Sequence, residues 1–134
     1  MSTPTIADEV GTFNDGFTAQ IGSELSDVFA REQADLTAAG VPDGAVSEGD
    51  TVPEADLVRA DGSAIALSDA LGGRPAVLVF YRGAWCPYCN IALQTYQRDL
   101  LPALRDRGVE LVAISPQTPE GSEQAVQNLS LIHI

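Results

Sequence analysis

A chain of 134 residues with 45% apolar side chains and only 6% aromatics is one domain's worth of sequence, with enough apolar surface to build a core. Its net charge of −12 repels phosphate backbones and anionic lipid, which argues against nucleic acid and membrane surfaces as partners. No run approaches the roughly eighteen apolar residues of a membrane span, and the opening MSTPTIADEV lacks both the basic and the apolar segment of a signal peptide, so a cytoplasmic setting is expected, where cysteines are kept reduced.

The acidity is uneven. Residues 1–58 hold twelve of the nineteen acids with Arg31 as their one base, while the other six arginines follow later. Phe13, Phe17, Ile21, Leu25, Val28 and Leu36 recur at three- and four-residue steps, which predicts one amphipathic helix over 13–39, stopped by Gly40 and Pro42. Gly16 and Gly22 weaken it, so it must draw stability from docking. Residues 1–47 thus form an acidic helical extension and linker, and 48–128 the main domain.

Within that domain, Asp61-Gly62 between ADLVRA and SAIALS predicts a short hairpin, and Ser68 is placed to cap the turn DALGG. AVLVFY, 76–81, reads as a strand covered on both faces. A helix follows from Cys86 with Cys89, Leu93, Tyr96, Leu100 and Leu104 on one face, kinked or restarted by Pro102. Gly108 ends it and VELVAI, 109–114, is a second buried strand, giving a right-handed crossover between parallel strands. Thr118-Pro119-Glu120 starts another helix. The last six residues, LSLIHI, match what a sequencing-library adapter encodes in frame, so 129–134 are read as a non-native tail and the only histidine, His133, is set aside as a ligand or base.

Both cysteines lie in FYRGAWCPYC, 80–89, at a strand-to-helix junction. Cys86 and Cys89 are one helical turn apart, near unpaired N–H groups and the positive end of the helix dipole, which favours thiolate. Their spacing allows a disulfide, and Pro87 fixes φ between them. A zinc site needs four ligands, and no third cysteine exists. A redox pair is therefore preferred over a metal half-site or an inert pair, with no metal and no cofactor expected. Trp85 is expected to pack over the pair, Tyr88 to shape a groove for a partner, and Arg82 to be solvated or to steady a thiolate. Ser115, at the end of the second strand, is expected near the site, with turn formation as its main role.

WCPYC combines features of thioredoxins and glutaredoxins, but the wider context, EGDTVPEADLVRADGSAIALSDALGGRPAVLVFYRGAWCPYCN followed by LPALRDRGVELVAISPQTPEGS, resembles the peroxiredoxin-like branch of the alkyl hydroperoxide reductase and thiol-specific antioxidant (AhpC/TSA) family. The resemblance implies an α/β thioredoxin-like fold of which this chain carries the N-terminal βαβ half behind an amphipathic helix, the hairpin-helix half with its proline loop lying beyond residue 134. Aligned from Phe80-Tyr81, the family's peroxidatic motif puts Cys89 at the attacking thiol, Cys86 where a threonine belongs and Arg82 where a proline belongs. It implies a hydroperoxide substrate and recycling by thioredoxin or another thiol reductant. Two alternatives stay open: a disulfide reductase in which Cys86 attacks, and a non-enzymatic binding module that senses redox state. Oligomeric state is not readable.

Overall fold

The computed structural model describes residues 3–128 and 132–133, and the chain falls into two compact units, Met1–Pro53 and Glu54–Ile134. The first unit is built on helix α1, Ile6–Ala39. Its start lies ahead of the apolar repeat because Thr5 and Asp8 form a capping box: the Thr5 hydroxyl accepts the Asp8 N–H at 3.2 Å while the Asp8 carboxylate accepts the Thr5 N–H at 2.9 Å. These bonds satisfy two donors at the helix start, and the Thr5 N–H and hydroxyl, both donating to the carboxylate, hold the exposed Asp8 carboxyl below its ordinary range. At the far end the Gly40 N–H closes onto the Leu36 carbonyl.

The single helix expected over 13–39 is interrupted. Gly22 sits at φ 80°, ψ 168°, outside the helical region, in a conformation a residue without Cβ adopts at no steric cost. The bend brings the rings of Phe17 and Phe29 to 5.9 Å between centroids, and Phe13 stacks on Phe17 at 5.5 Å. A continuous helix would hold Phe17 and Phe29 roughly 18 Å apart at ~1.5 Å per residue. The apolar face therefore folds partly upon itself. No residue of α1 is fully buried, and Leu25, Phe29 and Leu36 remain more than half exposed.

The second unit opens with the expected hairpin. Strands β1, Asp56–Val58, and β2, Ala64–Ala66, pair antiparallel with Leu57 opposite Ile65. The turn closes through the Asp61 carboxylate, which accepts both the N–H and the hydroxyl of Ser63. Helix α2, Leu67–Leu71, is not capped by Ser68: Ser68 lies inside it and the flanking residue is Ala66. Glu54 does the work instead, its Oε1 accepting the N–H of Ser68 at 3.1 Å and of Ala55 at 3.0 Å. A carboxylate at a helix start is favoured by the same unpaired donors that a serine would satisfy.

Strands β3, Ala76–Phe80, and β4, Glu110–Ile114, pair parallel from Ala76 opposite Glu110 to Phe80 opposite Ile114. On the other side of β4 lies the short parallel β5, Ile132–His133. The remaining residues of the segment read as a non-native tail, 129–131 and 134, lie outside those described. Being central in the order β3-β4-β5, β4 carries the fully buried Leu111, Val112 and Ala113. By contrast β3 is only half-buried and Phe80 is 74% exposed, so the expectation of a strand covered on both faces holds for the second strand and not the first.

The crossover helix runs in three pieces: α3, Pro87–Thr95, a π-helical turn, Tyr96–Leu100, and α4, Leu101–Asp106. The π turn explains how Pro102 is accommodated. Lacking an N–H, proline breaks a continuous α-helix, but here it sits in the first turn of α4, where no intrahelical bond is required of it. The wider turn also keeps Leu93 and Leu101 on the side of the sheet, where with Tyr81, Leu111 and Ala113 they form the core, flanked by Val77, Val79, Cys89, Tyr96 and Leu104. Helix α5, Pro119–Asn128, begins as expected with the Thr118 carbonyl accepting the Ser122 N–H.

Candidate active site

The cysteine pair lies between the end of β3 and the first turn of α3. Cys86 is the residue that flanks α3 in extended conformation, and Cys89 is three positions inside it. Both are free thiols, and their surroundings differ sharply. Cys86 is buried, with 2% of its surface exposed, and its carbonyl accepts the Asn90 N–H. Cys89 is half-buried against the core and remains reachable. Its Sγ accepts the Arg82 N–H at 3.5 Å.

The expectation that the helix terminus favours thiolate does not hold for Cys89. Burial pushes the Cys89 thiol above its ordinary pKa, and the adjoining Cys86 thiol adds to that by hydrogen bonding and charge. The Arg82 and Gly83 amides act the other way, without prevailing. The amides that steady Cys89 therefore belong to the loop before α3, and the net shift is upward.

That loop is held tightly. Gly83 is buried with φ 151°, and a Cβ there would stand 2.5 Å from the Trp85 ring nitrogen. Trp85 therefore lies against Gly83, 65% exposed, with the Arg82 guanidinium 4.9 Å from its ring centroid. Arg82 is exposed, as expected, and its guanidinium rests on the Trp85 face. Tyr88 is exposed on the first turn of α3.

Sequence reasoning missed Asn90 and Gln117. Asn90 Nδ2 donates to the Ala84 carbonyl at 2.9 Å, and the Ala84 N–H donates to Gln117 Oε1 at 2.9 Å. Gln117 Nε2 in turn donates to the Tyr81 hydroxyl at 2.8 Å and reaches Ser122 Oγ at 3.5 Å. Two successive peptides beside the cysteines are thus pinned from α3 and from the loop after β4. The only available signal was position, since SPQTP follows the carboxyl end of β4, where parallel α/β sheets gather their sites. Ser115 lies in the same loop, its hydroxyl buried and unbonded. Among the described residues no three His, Cys, Asp or Glu side chains converge as a metal site needs, and no helix is long and apolar enough to cross a membrane.

A half-built α/β sheet with a cysteine pair at a strand-to-helix junction defines a thioredoxin-like domain. The AhpC/TSA family matches residues 48–132, more than half of the chain, and the chain belongs to that family. Among solved structures it is similar to the peroxidoxin BcpB of Mycobacterium tuberculosis, with 26% identity and a TM-score of 0.56 over 64% of this chain. The likeness spans 56% of that protein, so the fold here is an incomplete thioredoxin-like one, as the sequence implied. No curated protein matches the chain.

Proposed function

We propose that the chain is the cysteine-bearing part of a peroxide-reducing thiol oxidoreductase in which Cys89 attacks and Cys86 resolves. The observation that carries this is the inequality of the two thiols: Cys89 is reachable and receives a backbone N–H, while Cys86 is closed off. A disulfide reductase working through Cys86 would need the opposite exposure.

The Cys89 thiolate displaces alkoxide from a hydroperoxide, breaking the O–O bond. The thiolate is oxidised to sulfenic acid, and the alkoxide takes a proton and leaves as alcohol. The Cys86 thiol then attacks the sulfenic sulfur, forming the S–S bond and releasing water. A dithiol such as thioredoxin reduces that disulfide, becoming a disulfide itself and returning both thiols. Such recycling suits a cytoplasmic setting.

The test is peroxide consumption, driven by a thioredoxin system, in the parent chain and in Cys89→Ala and Cys86→Ala. Cys89→Ala should consume none. Cys86→Ala should complete the first oxidation and accumulate sulfenic acid, trapped by dimedone. Turnover surviving in Cys89→Ala overturns the assignment. Disulfide reduction without peroxide consumption would favour the reductase, and turnover with neither substrate the redox-sensing module.

A further inference from the structure

We infer that Gln117 is a positioning residue that holds the Arg82–Ala84 turn in the conformation presenting its amide groups to Cys89 Sγ. The inference rests on the reading of Cys89 as the reactive thiol. Three observations meet on this side chain.

Its two ends are committed in one sense only. A backbone N–H can only donate, so the Ala84 N–H must face the amide oxygen. The amide nitrogen is then turned to Tyr81, whose hydroxyl accepts it. Flipping the amide would set donor against donor at Ala84.

The side chain also occupies a slot left by two glycines far apart in sequence. A Cβ on Gly83 would come within 3.2 Å of Gln117 Oε1, and one on Gly121 within 2.9 Å. Gly83 is already required by its positive φ, but Gly121 lies inside α5, where glycine is the poorer helix former. What Gly121 supplies is room for the Gln117 amide.

Finally, the bond falls where it matters. The Arg82 N–H that meets Cys89 lies two residues before the Ala84 N–H that meets Gln117, with the unusual Gly83 conformation between. Asn90 fixes the far side of Ala84 from within α3, so Gln117 is what fixes the near side to the sheet. Freed from it, the turn can swing its donors away from Sγ, and a half-buried thiolate without donors is harder to form.

The experiment follows the alkylation rate of Cys89 with iodoacetamide against pH, using the full chain in a Cys86→Ala background. Gln117→Met keeps the length and apolar bulk and removes the amide's three hydrogen bonds, to Ala84, Tyr81 and Ser122. Its profile should move to higher pH, with a rate about tenfold lower near neutrality and the same alkaline plateau, since one pH unit in thiol acidity is a tenfold change in thiolate. Gly121→Ala should move the profile the same way, because the added methyl would stand 2.9 Å from Gln117 Oε1 and press the amide off the Ala84 N–H, while alanine favours α5 and offsets part of the lost bonding. A Gln117→Met profile that superimposes on the parent's, or one that differs only in its plateau, overturns the inference. Should Gln117→Met fail to fold, Gly121→Ala decides it by the same criterion. Peroxide is absent from the assay, so a chain that failed to consume peroxide would remove the functional reading and leave this result standing.

Discussion

Cys89 is a thiol whose acidity is set by a contest. Burial and the Cys86 thiol oppose charge, the Arg82 and Gly83 amides support it, and the outcome is a pKa above the ordinary value. Below that pKa the thiolate fraction grows about tenfold per pH unit, so the alkylation rate should keep climbing past the point where a free cysteine levels off. Replacing Cys86 by alanine removes both of its opposing contributions, so the Cys89 profile should move to lower pH than in the parent chain; a shift to higher pH would mean that Cys86 supports the thiolate. Folding feels the same linkage. A raised native pKa favours the protonated form, so this contribution to stability is complete below the ordinary thiol pKa and is lost as pH rises through the native one.

Among the elements, legibility followed local chemistry. The hairpin at Asp61-Gly62, the parallel strand pair and the α5 start at Pro119 were readable because turn residues, β-rich apolar runs and capping patterns act over a few positions. The Gly22 bend was not, since glycine weakens a helix in sequence without saying whether the helix will fold back, and the closing of Phe29 onto Phe17 is a contact twelve residues apart. Covering Phe80 depends on what lies beside β3, which its composition cannot state. At the site, the placing of the cysteine pair at a strand-to-helix junction was legible from the motif, whereas Gln117 and Asn90 act through backbone amides, where residue type carries little signal. The crossover helix offers a test of packing. Leu93 is fully buried against the sheet, and Leu93→Ala should cost about 2–5 kcal/mol in denaturant unfolding; a loss under about 1 kcal/mol would mean that α3 is not seated on β4 as described.

The molecule as a whole carries a net charge of −12, and the unit that holds the thiols, Glu54–Ile134, itself has nine acids against six arginines, an excess that acts on any anion approaching Cys89. Iodoacetate should alkylate Cys89 more slowly than neutral iodoacetamide at low salt, and the gap should narrow as salt screens the field. Iodoacetate reacting as fast as iodoacetamide at low salt, or faster, would make the local Arg82 charge dominant. The fastening of Ala84 gives the molecule a built-in clock. Its amide belongs to a loop, where protons ordinarily trade with solvent quickly, yet it is held by Gln117 from the segment after β4 while Asn90 of α3 holds the same residue's carbonyl. That proton should survive in heavy water longer than those of unbonded loop amides, so its isotope signal reports whether the turn beside the thiols stays fastened.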